Sequence, residues 1–198
     1  MVSQLLRQAL SGQAPGSAGQ AAAVSVGGFR PFAARGAVVS DDRVNALRDA
    51  EGVWRVRALL DVNVLIALLD AAHLHHRLAT AWLQREIGAG WASCPLTQNG
   101  CIRILSQPAY PGALVAADVA QRLGEAAACP AHQFWPDDVN LLQAGSVDWQ
   151  RVLGHRQVTD VYQLALAVHH HGRLVTFDRR LALAAVPGAS AGHLAVIA

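Results

Sequence analysis

The sequence predicts an α/β protein, with helices packed on a mainly parallel central sheet. Two observations lead there. From residue 56 onward, short apolar runs at 57–61, 91–94, 173–177 and 194–197 alternate with helix-length stretches, the pattern of successive strand–helix–strand units. More than half the residues, 53%, are hydrophobic, enough to cover a sheet on both faces.

The elements follow in order. Strand 57–61 leads into a helix over 63–71. Residues 75–87 form a second helix, with Leu78, Trp82 and Ile87 inward, stopped by Gly88-Ala89-Gly90. After strand 91–94, Pro95 suits the first turn of a third helix carrying Leu96, Ile102 and Leu105. Residues 107–112 are a proline-rich loop, 113–127 an alanine-rich helix, 132–135 a short strand and 139–144 a short helix. Residues 149–153 add a turn. Thr159 is placed to cap a helix over 160–171, ended by Gly172. Strand 173–177, a turn at 180–184 and strand 194–197 complete the set.

Residues 1–55 read differently and form an N-terminal extension to a folded unit at 56–198. Residues 1–10 offer a helical turn or two. Residues 11–28, rich in Ala, Gly, Gln and Ser, read as linker or disorder. Residues 29–39 look extended, and Ser40 with Asp41 and Asp42 starts a helix running to residue 50.

Composition removes several function classes. No apolar run has the length of a membrane span, and the first twenty-five residues lack the basic start and apolar core of a signal peptide. The expected location is the cytoplasm. Three cysteines, Cys94, Cys101 and Cys129, with no CxxC pair, argue against a disulfide framework or a zinc ribbon and read as buried thiols. All 16 basic residues are arginine. Ten of them fall from residue 57 onward beside ten acids, so the folded part carries no large basic footprint for nucleic acid.

The chemistry rests on acids. Asp61 and Asp178 each follow an apolar strand directly, and Asp160 begins a helix. In a parallel sheet, strand ends and the following helix starts share one edge, so the three carboxylates can converge there. Carboxylate oxygens suit a hard cation such as Mg²⁺ or Mn²⁺, which acidifies a water for attack on a phosphodiester. For any one such Asp alone, a helix cap or a solvated loop is the better explanation; three together shift the balance toward a site. Asn63 and Thr159 fit either a turn and a cap, or hydrogen bonds that position an acid. His73, His75 and His76, like His169, His170 and His171, read as solvated surface, because neighbouring residues on a helix point apart. Trp82, Trp91, Trp135 and Trp149 read as core or dimer contacts, with Trp135 also a candidate base-stacking platform. Arg103, Arg156 and Arg179 are candidates for phosphate contact, with Arg179 favoured by its place beside Asp178.

A resemblance sharpens this. Leu59-Leu60-Asp61-Val62-Asn63-Val64-Leu65, Trp91-Ala92-Ser93-Cys94-Pro95-Leu96-Thr97-Gln98-Asn99-Gly100, Thr159-Asp160-Val161-Tyr162-Gln163-Leu164-Ala165 and Leu174-Val175-Thr176-Phe177-Asp178-Arg179 resemble, in order, the motifs of PIN-domain ribonucleases, most closely VapC-type toxins. The likeness covers residues 56–198. It implies a PIN-like α/β/α sandwich and a Mg²⁺- or Mn²⁺-dependent endoribonuclease that acts as the toxin of a toxin–antitoxin pair, with RNA as substrate, a VapB-like antitoxin as partner and a homodimeric state. By motif position, Asp61, Asp160 and Asp178 are its metal-site acids. Gln98 stands where the family commonly has Glu, so it offers an oxygen without charge, as an auxiliary catalytic residue. Gly28-Phe29-Arg30-Pro31-Phe32 and residues 38–51 are similar to the tail of partner antitoxins. This implies either a segment that folds back on its own site, with Arg30 or Arg35 facing the acids, or, equally, a floppy extension with no inhibitory role. Two rivals stand beside this reading. One is a PIN-like binding module whose metal site Gln98 weakens. The other is a haloacid-dehalogenase-like phosphatase, disfavoured because the chain lacks lysine and has Asn63 where that class has a second Asp.

Overall fold

Strand-forming residues in this chain come in runs of three or four. The computed structural model, which describes residues 26–30 and 56–197, joins five of them into one sheet. The strands are β1 (Ala58–Leu60), β2 (Trp91–Ser93), β3 (His132–Phe134), β4 (Arg173–Thr176) and β5 (Leu194–Val196), in spatial order β3-β2-β1-β4-β5. All four pairings are parallel. The helices are α1 (Val62–Leu69), α2 (His76–Glu86), α3 (Pro95–Leu105), α4 (Ala116–Ala127) and α5 (Gln157–His169). The α/β sandwich read from the sequence is therefore present, and the sheet is parallel throughout.

Side chains alternate along the strands and so sort into two cores. Ala58, Leu60, Trp91 and Val175 pack with α1 to α4 on one face. Leu59, Ala92 and Leu174 pack with α5 and with Leu181, Ala185 and Val186 on the other. Apart from exposed Asn63 in its first turn, α1 is apolar, and residues 64–69 are buried without a break, as befits a central helix. At the N-terminal edge of the sheet two arginines serve the fold. Arg57 donates to the carbonyls of Trp91 and Ala131 at 3.3 and 2.7 Å, and Arg173 pairs with Glu86 at 2.6 Å while lying over Trp82.

Three predicted elements differ. Residues 139–144 are not helical: Asn140 Oδ1 accepts the amide of Leu142 at 3.0 Å and its carbonyl accepts Gln143, local bonds that replace helical ones. α4 begins at Ala116 instead of 113, since the Leu114 amide donates to the Leu105 carbonyl at 2.9 Å and holds the chain against the end of α3. α5 begins at Gln157, ahead of Thr159. The amides of Gln157 and Val158 already bond back to Gly154 and His155, and Gln157 Oε1 accepts the Leu153 amide at 2.8 Å. Thr159 is thus inside the first turn and is not the cap.

The end of α5 departs from expectation in an informative way. The Gly172 amide bonds to the Ala167 carbonyl and that of His171 to Val168, the paired bonds of a Schellman close. The residue in the left-handed conformation is His171, at φ 53°. Gly172 serves close approach instead, since a Cβ there would lie 2.4 Å from the Trp135 ring and 2.6 Å from the Arg57 carbonyl. A non-glycine residue in that conformation costs about 1–2 kcal/mol. His171→Gly is therefore expected to stabilise the chain by about 1 kcal/mol, read as a rise in the urea midpoint; a lower midpoint would contradict this account.

The stretch read as linker ends in a built turn. Val26 and Phe29 exchange both backbone hydrogen bonds across Gly27 and Gly28. Both glycines have positive φ, 58° and 88°, as a tight two-residue hairpin turn demands. Phe29 is only 2% exposed and its ring lies 4.6 Å from Trp91. Trp91 Nε1 donates to the Gly27 carbonyl at 3.2 Å. The readings for residues 1–25 and 31–55, including Arg35 and the helix from Ser40, lie outside the described residues.

Candidate active site

The chain leaves β1 toward β2 and leaves β4 toward β5, so the two connections part in opposite directions. Such a switch point opens a crevice beyond the carboxyl ends of the strands. Asp61 and Asp178 both lie at that edge.

Asp61 is held from three sides. Its amide donates to the Val175 carbonyl at 3.0 Å, extending the β1–β4 ladder, and its carbonyl receives the amides of Val64 and Leu65, each at 3.0 Å. It thus occupies the cap position of α1, yet its carboxylate makes no side-chain cap bond. Instead Oδ2 accepts the Thr176 hydroxyl at 3.0 Å. That disposes of the simple helix-cap reading. The side chain is 5% exposed. Burial raises its pKa, opposed by Thr176, the Val62 amide, Gln163 and Asn63, all of which favour the charged form.

Thr176 links two of the acids, because its Oγ1 also accepts the Asp178 amide at 3.1 Å. Asp178 Oδ1 accepts the Arg180 amide at 2.8 Å and Arg180 Nε at 3.3 Å, an Asx turn that folds Arg180 back over the carboxylate. These contacts, the backbone bond foremost, hold the Asp178 pKa below its ordinary value.

Asp160 sits in the first turn of α5. Its pKa is pushed up to about 6, first by burial and then by the charges of Asp61 and Asp178, with Arg180 opposing. Asp160 thus feels the charge of both other acids, although the three do not bring one carboxylate oxygen each within 4.8 Å of one another. A pocket of about 370 Å³ opens at Asp160 and Asp178, with Leu153, His155, Arg156 and Arg180 on its walls.

Sequence reasoning missed three residues. Thr176 looked like an ordinary strand residue. Arg180, one place beyond the favoured Arg179, makes the contact to Asp178 because the Asx turn reaches two residues on. Gln163 lies one helical turn after Asp160, is 0% exposed, and leaves both side-chain polar atoms without a hydrogen-bond partner among the described residues. Its amide comes near enough to favour the Asp61 carboxylate yet falls short of hydrogen-bond geometry. The signal was available: a lone polar residue within the buried run 163–167 of α5.

Other expectations fare unevenly. Gln98 Nε2 donates to Ser93 Oγ at 2.9 Å, and Ser93 Oγ lies 2.9 Å from His132 Nε2; among the described residues, those that shift the three acids do not include Gln98. Trp135 is 2% exposed and stacked on His170, so it is no platform for a base. Trp82 and Trp91 are core, as read, whereas Trp149 is exposed. His73 and His75 are half-buried against Phe177 and not solvated surface. Cys94 and Cys101 are buried free thiols; Cys129 is half-buried. Arg30 does not face the acids. It pairs with Glu125 on α4, and its carbonyl accepts Arg122 at 2.9 Å. Phe29 finds its apolar floor at the start of β2, the edge opposite the acids, and Arg30 goes with it.

Residues 58–187 match the family model described as the PIN domain. Ribonuclease VapC44 of Mycobacterium tuberculosis is 50% identical over 142 residues, which are 72% of this chain and 100% of that protein. Ribonuclease VapC39 of the same organism is 42% identical over 141 residues, 71% of this chain and 99% of that protein. Ribonuclease VapC29 is 44% identical over 125 residues, 63% and 87% respectively.

Proposed function

This chain belongs to the PIN-domain family, on the VapC ribonuclease branch, and from that premise we propose that it hydrolyses RNA as the toxin of a toxin–antitoxin pair, using Mg²⁺ or Mn²⁺ held by Asp61, Asp160 and Asp178. The observation that carries the cation is the state of Asp160. A half-buried carboxylate raised to about 6, first by burial and then by two neighbouring carboxylates, gains from a cation that offsets both the lost hydration and the repulsion. The donor set also fits: all three acids offer oxygen, the ligand type of hard divalent cations, and the buried Gln163 amide beside Asp61 retains unused polar atoms.

The cation, when bound, supplies the Lewis acidity that makes a water nucleophilic and offsets charge on a scissile phosphate. The chain's own residues do the rest. Thr176 fixes the orientation of Asp61 by its hydroxyl, the kind of supporting bond that sets ligand geometry. Asn63 favours the Asp61 carboxylate as well. Arg156 and Arg180, on the pocket wall, offer planar donors to backbone phosphates. Gln98, tied to Ser93, stays an auxiliary. The proposed partners are RNA, a VapB-type antitoxin and a second copy of the chain. Among the described residues no helix is long and apolar enough to cross a membrane.

Purified chain incubated with RNA should cleave it in Mg²⁺ or Mn²⁺ and stop on addition of a chelator. RNA bound but left whole in both metals, with no metal uptake by calorimetry, would favour the binding-module reading.

Residues 26–30 are proposed to brace the fold at the edge opposite the acids. A chain beginning at Val56 is expected to cleave at the full-length rate but to unfold earlier by about 1–3 kcal/mol, the worth of burying one aromatic side chain. Much faster cleavage by the shorter chain would restore the autoinhibition idea.

A further inference from the structure

The far end of α5, about ten residues or roughly 15 Å along the helix from Asp160, gathers a second set of ligand-type side chains. His169 is the last residue of α5 and His170 its cap, while Asp138 comes from the irregular segment after β3. Asp138 Oδ1 lies 3.1 Å from His170 Nε2, and Oδ2 lies 3.7 Å from His169 Nε2. One ligand atom from each of the three falls within 4.8 Å of the others.

Adjacent helical side chains ordinarily diverge. Here the rings of His169 and His170 stand edge to face, 5.1 Å between centroids. The His170 ring is pinned by its stack on Trp135, at 4.6 Å and 13°, and Trp135 is itself buried. Only Pro136 and Asp137 separate Trp135 from Asp138, so one short segment supplies both the platform and the carboxylate. The Schellman close beyond His170 fixes the helix end. His169 and Asp138 remain open to solvent, which leaves a route for an ion.

We propose that Asp138, His169 and His170 form a binding site for a borderline transition metal, Zn²⁺ in the first place, distinct from the acid cluster. Two imidazoles and one carboxylate are a zinc donor set that leaves a coordination position for water. In a tetrahedral site with bonds of about 2.0 Å, ligand atoms stand about 3.3 Å apart; each imidazole nitrogen is near that distance from one oxygen of Asp138, His170 from Oδ1 and His169 from Oδ2. The acid cluster, all oxygen, suits the harder cations instead. The helix thus carries sites of different softness at its two ends. Zinc at the second would fasten the segment after β3 to the helix that presents Asp160.

The test is calorimetric titration of the full chain with Zn²⁺ alone, in the original sequence and in His169→Ala, Asp138→Asn and Asp160→Asn. The expected result is a zinc site weakened at least about tenfold in the first two variants, since even outer partners of ligands are worth about 10–100-fold, and retained in Asp160→Asn. Co²⁺ should report the same site through tetrahedral absorption bands that vanish in His169→Ala. The exposed position of His169 keeps that variant folded. Zinc binding unchanged by both His169→Ala and Asp138→Asn, or lost in Asp160→Asn, overturns the proposal.

Discussion

Asp61→Asn is expected to lower RNA cleavage by more than about 100-fold, because even residues that only support metal ligands are worth about 10–100-fold, and to leave the fold intact. Asparagine keeps the shape of the side chain and an oxygen able to accept the Thr176 hydroxyl. What it removes is the charge. Burial disfavours that charge in the folded chain, so the variant should be at least as stable as the original in the absence of metal. Loss of activity without loss of stability is the pattern of a group kept for function at a cost to the fold. Cleavage at saturating Mg²⁺, paired with a urea melt, reads both. Cleavage retained in Asp61→Asn would sink the metal-ligand role. Activity and stability lost together would mean that Asp61 holds the β1–β4 edge together and does no more.

Why these acids were legible, and their supports were not, is a matter of register. A strand-end carboxylate shows in one dimension: an apolar run stops and an Asp follows. This placed Asp61 and Asp178 at one edge of the sheet before any coordinates. Thr176 and Gln163 matter only because of what stands opposite. Leu60 pairs with Val175, which sets Asp61 beside Thr176, and no pattern within either strand says so. Helix ends failed for a similar reason. Thr159 has good capping chemistry, but Gly154 and His155 let the chain turn three residues earlier. Gly172 has good terminating chemistry, but Trp135 needs the space its missing Cβ leaves, and the left-handed residue became His171. Arg30 was read from a likeness to antitoxin tails. Its place was decided instead by Phe29, whose ring seeks the Trp91 floor, and by Glu125. For Gly172 and Arg30 a local preference gave way to a tertiary contact; for Thr159 it gave way to bonds within the turn just before it.

Without metal, the chain should lose stability as pH rises from about 4 to about 7, and Asp160 should be a principal cause. The direction follows from proton counting. The ordinary pKa of the group is 3.8 and its folded value is about 6. Between these the folded chain holds a proton that the unfolded chain has released, so raising the pH favours unfolding. The loss is complete once pH passes the folded value. Asp61, also raised, acts in the same direction. Asp178 is lowered, and its window lies below 3.8, outside this range. His73 and His132, lowered from 6.5 by burial, act oppositely, since raising the pH removes protons that the unfolded chain holds more tightly. The clean measurement is therefore the difference in unfolding free energy between the original chain and Asp160→Asn across that range. Asparagine is expected to be the more stable form near pH 7, with the advantage shrinking toward pH 4. Mg²⁺ should reverse the order at neutral pH. A cation that binds the ionised cluster adds about 2.7 kcal/mol at one hundred times its dissociation constant, and Asp160→Asn forfeits most of that gain. Parallel pH slopes for the two chains would show that Asp160 ionises freely, and the crowded carboxylates would then give no reason to expect a cation.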